Sequence, residues 1–549
     1  MIEAPDSVTI TVSNSHEEKE EKVLNKTDSE STIKNNNNED EKSTLLSFKE
    51  LMLVFLALLF AVFLSGLDQM IVATCLPKIV SEFNSLDQIT WIGTAYLLTS
   101  TTSQPISGKI SDIFGRKPTF LLAIGTFLIA STLCGASQNM IMLIVFRGLA
   151  GLGAGAIVNL LMIIMSDVTS QRDRGKYQGL VGGVWGLSTI VGPLAGGLFS
   201  DHLSWRWAFF INLPIGAVTV IIVILYLQLP KPNGSLIEKL KRIDYLGSIL
   251  VFIGVVCLLL PTNWGGTTYP WNSPQIITLY IVSFIILSIL IYVEVKVAAE
   301  PIIPAQLFKI RTAVANFIFN LLFGMAFYSM IFYTPLYFQV IKGVSATVSG
   351  LLILPLLLGL VLFSLVAGLL TSYTGRVREF IWLGSLISII GSVLISIYFN
   401  TNSTTGQQIG FLLIIGCGFG FVAQTTLLSI QSCVEIEYLA TATAMYNFSR
   451  VIGGIFGVAI LGAVFNGILN EGLSTLYSQL PPGSFDITLA KNDALYLWNI
   501  SDMQIRQNIM QIYVNALQSA YRVNVPILVC AFLSSLFLKH HVLQKTITK

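Results

Sequence analysis

Two ionisable residues stand inside long apolar stretches of the sequence. Asp68 follows Leu67 in the first stretch, and Arg147 lies in the fourth, before a run of glycines. Charged side chains within a membrane are costly, and they usually pair or mark a proton or substrate pathway. A carboxylate whose proton affinity is set by a nearby arginine could couple solute movement to a proton. We therefore predict that Asp68 and Arg147, which lie at similar depth, form a proton-coupling pair. A fixed structural ion pair is the alternative.

Further polar and aromatic residues recur in the apolar stretches and could line a solute cavity. These are Gln69, Tyr96, Asn159, Trp185, Asn316, Asn320, Tyr328, Gln424, Gln431, Asn447 and Arg450. Many can instead form hydrogen bonds between helices, so we expect fewer than half to touch a solute. Arg450 either faces the cavity or bonds to helix carbonyls.

Membrane helices are the elements that must position these residues. The chain has 549 residues, of which 53% are hydrophobic and only 11% charged, whereas soluble proteins carry about 25% charged residues. A helix needs about 20 apolar residues to cross a bilayer. We predict fourteen spans, at residues 51–73, 89–107, 119–136, 141–165, 177–200, 207–229, 243–261, 275–298, 313–337, 347–370, 379–399, 408–431, 440–468 and 519–539.

The distribution of lysine and arginine orients these spans. Alternate loops are rich in basic residues, and such loops face the cytosol. The basic residues of the predicted inner loops include Lys109, Arg116, Lys117, Arg172, Arg174, Lys176, Lys231, Lys239, Lys241, Arg242, Arg376 and Arg378. Both termini are then cytosolic: residues 1–48 should be a disordered polar tail, and 540–549 a short one. One long outer loop is expected at 470–518.

An internal repeat divides the chain. The segment Gly108–Phe120, after the second span, aligns with Gly368–Phe380, after the tenth. The offset of eight spans suggests that two spans were inserted between two six-span halves. We predict bundles at 49–230 and 312–539, with the inserted pair and its flanking loops at 231–311. Substrate sites in such parallel repeats lie near the midplane, between the halves.

The motif GKISDIFGRK, which begins at Gly108, resembles the signature loop of the major facilitator superfamily. The resemblance implies an all-α membrane fold with two six-helix bundles, here with two additional central helices. It also implies a gating role for the loop, in which a charge network latches the two halves on the inner face. The alternative is simple anchoring by positive charge. The residues implied are Gly108, Asp112, Gly115, Arg116 and Lys117.

A second motif, GLSTIVGPLAGG from Gly186, resembles the stretch typical of antiporters in this superfamily. Its glycines give a smooth face for close helix packing, and a proline kinks the helix; generic packing is the alternative. The residues implied are Gly186, Gly192, Pro193, Gly196 and Gly197. Aromatic segments such as SWRWAFFINLPIG, from Ser204, are similar to the fungal fourteen-spanner drug:proton antiporters. Met70 departs from that pattern, which leaves the substrate preference open.

The resemblance implies proton-coupled export of drugs, toxins or metabolites from the cytosol by alternating access. We expect a monomeric plasma-membrane transporter in contact with lipid, with no enzymatic activity, cofactor, metal or nucleic-acid partner. The sequence has no GxxxxGK[ST] motif for an ATP site and no histidine cluster for a metal. The alternatives are a vacuolar transporter of basic amino acids and, in another class, a non-transporting membrane sensor.

Overall fold

Helices make up the long elements of the computed structural model. The structure describes residues 48–539, except 84, 86, 87, 170–173, 230, 231, 233, 267, 268, 345, 482, 483 and 493–495. The tails predicted at 1–48 (apart from Phe48) and at 540–549 lie outside the described residues, as do Arg172 and Lys231. The residues from Leu53 onward form one compact unit.

Fourteen long helices follow one another in the described residues. They are α1 Phe48–Phe83, α2 Ile89–Phe114, α3 Arg116–Gly135, α4 Met140–Val168, α5 Arg174–His202, α6 Asn212–Tyr226, α7 Tyr245–Trp264, α8 Pro274–Lys296, α9 Arg311–Lys342, α10 Leu354–Thr374, α11 Arg378–Tyr398, α12 Thr405–Cys433, α13 Leu439–Gln479 and α14 Met503–Ser535. Short helices at Trp207–Phe210 and Ala346–Leu352 precede α6 and α10. Each predicted span corresponds to one of these helices, which confirms the all-α architecture.

Among the described residues, 13 helical segments are long and apolar enough to cross a membrane. The helix that falls short is α2, because hydroxyl and amide side chains fill residues 99–104. Several of these hydroxyls donate to carbonyls of their own helix, as Thr101 does to Leu97 at 2.7 Å. Such bonds satisfy polar side chains inside a bundle, so α2 keeps its helical form across 26 residues.

Helices occupy much of the segment 470–518, for which the sequence predicts an outer loop. Helix α13 continues to Gln479, and α14 begins at Met503. The physical reason is an apolar face that the polar composition hides: Leu473 and Ile509 are fully buried and belong to the large core of α9–α14. Burial of that face stabilises both helices beyond the apolar spans.

The inserted pair, α7 and α8, packs together and against two neighbours. Ser283 of α8 donates to the carbonyl of Gly254 in α7 at 2.8 Å. A buried apolar cluster then joins Val255 of α7 to Leu98 of α2 and Ile452 of α13. The pair therefore lies beside one helix from each of the two predicted bundles.

Candidate functional site

Asp68 and Arg147 are in direct contact in the first bundle. Arg147 of α4 donates from Nη1 to Oδ2 of Asp68 in α1 at 2.5 Å, and the two side chains are 2% and 0% exposed. The guanidinium also lies over the ring of Tyr96, 4.2 Å from its centroid, and its Nε donates to the carbonyl of Ile92 at 3.3 Å. The arginine thus holds α1, α2 and α4 around one buried carboxylate.

Asn212 completes the environment of this carboxylate, and the sequence assigned it no role. Its Nδ2 donates to Asp68 Oδ1 at 3.2 Å and to Ser131 Oγ at 2.9 Å, and its side chain is fully buried at the start of α6. An asparagine between Ile211 and Leu213 was the available signal, but nothing local shows that it reaches Asp68. Both carboxylate oxygens of Asp68 therefore accept hydrogen bonds, one from Arg147 and one from Asn212.

The signature loop forms a charge network within the first bundle. Arg116 donates to Asp112 at 2.5 Å and to Asp167, at the end of α4, at 2.9 Å. We expected these charges to latch the two halves, but in the described residues they join α2, α3 and α4. The contact with the second half is made by Gly108 instead, where an added Cβ would lie 3.1 Å from Cβ of Ala444 in α13.

The rest of the loop is tied to its surroundings by short contacts. Gly115 separates α2 from α3 with a φ of 98°, a conformation that favours glycine. Lys117 donates to the carbonyl of Ile224 in α6 at 2.8 Å. Lys109 lies 3.0 Å from Glu300, which also pairs with Arg242 at 2.6 Å. Glu300, which the sequence did not single out, therefore connects the loop to the segments that flank the inserted pair.

The Glu300 contact gives a testable dependence on pH. Hydrogen bonds from Arg242 and then Lys109 hold the pKa of Glu300 below its ordinary value of 4.5. The stabilisation is therefore present above pH 4.5 and is lost as the pH falls through the lowered pKa. We expect Glu300→Gln to reduce stability by less than about 1 kcal/mol at pH 7, since the groups are partly exposed. Thermal unfolding in detergent should show wild type and variant converging at low pH. A constant difference, or an equal effect of the exposed control Glu435→Gln, would contradict this.

The antiporter-like stretch of α5 packs on α1 beside Asp68. An added Cβ on Gly192 would lie 2.6 Å from Cβ of Met70, and one on Gly196 would lie 2.5 Å from the carbonyl oxygen of Ile71. Gly186 instead faces Val361 of α10, and Gly197 has open space around its Cβ position. The side chain of Pro193 lies outside what the structure describes. The stretch thus has two packing faces, one of which contacts the helix that carries Asp68.

Several predicted cavity residues instead join the two halves. Gln178 of α5 accepts from Gln424 Nε2 at 2.8 Å and donates to Gln431 Oε1 at 3.3 Å, both in α12. Asn447 of α13 donates to Asn159 of α4 at 3.5 Å. All five side chains are buried. Gln178 lies near the start of α5 and Gln431 near the end of α12, so these hydrogen bonds join the halves on the side that the sequence predicts to be cytosolic. The sequence did not single out Gln178.

Other predicted cavity residues divide by exposure. Tyr96 donates to the carbonyl of Ser65 at 3.4 Å, and Asn320 donates to Asn316 in its own helix at 2.7 Å; both predicted residues are buried. Amides and hydroxyls inside a bundle find such partners readily, which explains why polarity alone overpredicted the cavity. The candidates that keep partial exposure are Gln69, Trp185, Tyr328 and Arg450.

Gln178→Leu should weaken the contact between the two halves that Gln178 makes with α12. The substitution removes two hydrogen bonds between the halves, each worth about 0.6 kcal/mol or more in a membrane bundle. We expect alkylation of a cysteine placed at the buried Ala440, in a variant lacking the native cysteines, to become faster by about sevenfold or more. The exposed control Gln511→Leu should leave the rate unchanged. Equal labelling of Gln178→Leu and its parent would show that Gln178 does not hold the halves together.

Comparison with known proteins identifies the family. The model of the Major Facilitator Superfamily matches residues 58–458. The chain belongs to the major facilitator superfamily. The protein is therefore a multi-pass membrane transporter and not an enzyme.

Relatives within this superfamily are named as efflux proteins. The MFS-type efflux pump MFS1 of Arthroderma benhamiae is 35% identical over 468 residues, which cover 81% of this chain and 87% of the relative. The aspyridones efflux protein of Neocamarosporium betae is 33% identical over 470 residues, covering 85% and 83%. The multidrug transporter protein MdtP of Bacillus subtilis is 36% identical over 433 residues, covering 78% and 79%. These matches support the fungal efflux branch of the superfamily.

Solved structures show the same fold at low sequence identity. The human organic anion transporter MFSD10 has a TM-score of 0.58 at 14% identity, with 88% of this chain and 99% of that chain covered. The proton:xylose symporter XylE has a TM-score of 0.57 at 12% identity, with 90% and 98% covered. The major facilitator fold predicted from the sequence is confirmed.

Proposed function

We propose that this major facilitator protein exports organic compounds from the cytosol in exchange for protons, and that Asp68 carries the proton. The observation that carries the proposal is the fully buried Asp68 held by Arg147 and Asn212. Relatives named as efflux pumps and as a multidrug transporter support the export of drugs, toxins or metabolites. We also propose that the protein acts as a monomer in the plasma membrane.

The two protonation states of Asp68 would hold the first bundle differently. As a carboxylate, Asp68 forms a charge-assisted bond with Arg147 that ties α1 to α4. A proton on Asp68 removes the charge and weakens that bond, while Arg147 keeps the Tyr96 ring and the carbonyl of Ile92. Protonation of Asp68 would therefore weaken the contact of α1 with α4, while Arg147 keeps its contacts with Tyr96 and Ile92.

The packing offers a route from Asp68 to the interface between the halves. Met70, two residues along α1, packs against Gly192 of α5. The same α5 carries Gln178, which bonds to α12 in the second half. Movement of α1 against α5 would thus affect the hydrogen bonds that join the halves on their predicted cytosolic side. In alternating access these bonds break when the site opens to the cytosol.

A gradient-collapse assay tests the function and separates it from its rivals. Purified protein in liposomes with an imposed pH gradient receives hydrophobic drugs or dyes, and then arginine and lysine. Proton flux driven by the hydrophobic compounds alone supports drug export. Flux driven by the basic amino acids would replace it with the vacuolar amino-acid transporter. No flux with any of them, in protein that still binds the compounds, would contradict proton-coupled export and favour a sensor.

A further inference from the structure

Arg450 places a cation deep in the second bundle. It lies eleven residues after Leu439, the first residue of α13, which corresponds to a rise of roughly 17 Å. That is about half the ~30 Å thickness of a hydrocarbon core. Its side chain is partly exposed, although the neighbouring Ser449 and Ile452 are buried. A charge at this depth is expensive unless something compensates it.

Nothing in the described part of the chain neutralises this arginine. No Asp or Glu among those residues comes within 4.0 Å of Arg450, and its Nε is buried without a hydrogen-bond partner. The centroid of the Tyr446 ring lies 5.7 Å from Cζ of Arg450. Arg147, by contrast, has a carboxylate at 2.5 Å. The Asp68–Arg147 pair gives the first bundle no net charge at this site, whereas Arg450 adds an uncompensated positive charge to the second bundle.

Arg450 lies at the close contact between α9 and α13, with Tyr446 one turn before it on its own helix. Its backbone carbonyl lies against Gly324 of α9, so the two helices approach closely at this residue. One turn along α13, an added Cβ on Gly454 would lie 2.7 Å from Cγ of Tyr328, so this glycine admits the tyrosine ring. The Tyr446 hydroxyl donates a hydrogen bond to the carbonyl of Ala423 at 2.9 Å. Among the described residues, the Nε–H of this guanidinium has no acceptor.

We propose that Arg450 binds an acidic group of the exported compound, such as a carboxylate or sulfonate, and so selects amphipathic organic anions. This inference rests on the proposed export function and names its substrate class. A guanidinium binds a carboxylate through paired hydrogen bonds, and a bound anion removes the cost of the uncompensated cation. The ring of Tyr446, and that of Tyr328 one turn away, suit an apolar body attached to the acid. Compounds whose only charge is positive gain nothing from this site and are repelled by it.

Two dyes with one scaffold and opposite charge test the selection. Fluorescein is anionic and rhodamine 123 is cationic at pH 7.4, and both contain the same xanthene ring system. Their binding to the full-length protein in nanodiscs can be followed by fluorescence anisotropy. We expect wild type to bind fluorescein, and Arg450→Gln to bind it at least about tenfold more weakly, the effect of losing a charge-assisted hydrogen bond. Rhodamine 123 should bind no more weakly to the variant.

Controls keep the result interpretable. Arg376→Gln, an exposed loop arginine, should leave fluorescein binding unchanged. If Arg450→Gln does not fold, Arg450→Lys takes its place, because lysine lacks the planar fork and should also weaken fluorescein selectively. Absent fluorescein binding in wild type, unchanged binding in the variant that folds, or equal loss of both dyes would overturn the proposal. Failure of proton-coupled export would appear separately, as no gradient collapse despite dye binding that depends on Arg450.

Discussion

Asp68→Asn is expected to abolish compound-driven proton flux, lowering it by about a hundredfold or more, the scale associated with removing an acid–base group. Asparagine has nearly the same shape and still offers an oxygen to Arg147, but it cannot take up or release a proton. The fold should therefore persist, and compound binding should change by only a few fold. Proton flux in liposomes and dye binding, measured on the same preparation, separate the two effects.

A carboxylate elsewhere in the chain provides the matched control for this substitution. Glu471 is exposed on the late turns of α13, and Glu471→Gln removes the same charge with no effect expected on flux. Proton flux that persists in Asp68→Asn would leave the Asp68–Arg147 contact as a structural ion pair only. Loss of both flux and folded protein would point to the same structural role, since a buried arginine without its partner is strongly destabilising.

Among substitutions that add a single methyl group in the second bundle, Gly453→Ala should lower the stability of the protein most. The Cβ position of Gly453 falls against the backbone carbonyl of Leu321 in α9, well inside contact distance, and backbone cannot rotate away. Helices α9 and α13 must separate, which disturbs the large apolar core of α9–α14. We expect a loss at or above about 3 kcal/mol, the upper range for overpacking, seen as a lower midpoint of thermal unfolding in detergent.

Another glycine of the same helix isolates the steric cause. Gly467 has nothing within 4 Å of its Cβ position and is exposed. Gly467→Ala should be neutral or slightly stabilising, because alanine favours helix by about 1 kcal/mol over glycine. If Gly453→Ala unfolds at the same temperature as Gly467→Ala, the close approach of α9 and α13 is not what stabilises the bundle.

The order of the helices and the depth of their charged residues could be predicted from the sequence. Apolar length predicts each span, and position within a span placed Asp68 and Arg147 at one level, where the structure finds them in contact. The partners from other helices were not predictable. Asn212, Asp167 and Gln178 reach their partners across the bundle, and that neighbourhood depends on how helices are arranged side by side, which the periodicity of one helix does not encode.

The polar residues within the spans predicted the lining of a cavity less well than expected. Asn159, Gln424 and Gln431 satisfy their amides between helices, where water and solute do not reach in this state. The same limit applies to 470–518, where polar composition predicted a loop but buried leucines extend two helices. In both cases packing between helices, absent from any single stretch of sequence, decided the outcome.

The most direct test of proton coupling through Asp68 is the balance point between a compound gradient and a pH gradient. Liposomes with clamped membrane potential are loaded with a compound that collapses the gradient, and net compound flux is measured while the pH difference is varied. For one proton exchanged per compound, a tenfold compound gradient should balance at a difference of about one pH unit, and Asp68→Asn should show no dependence on pH. A wild-type balance point that ignores pH, or one that shifts equally in Asp68→Asn, would contradict the account.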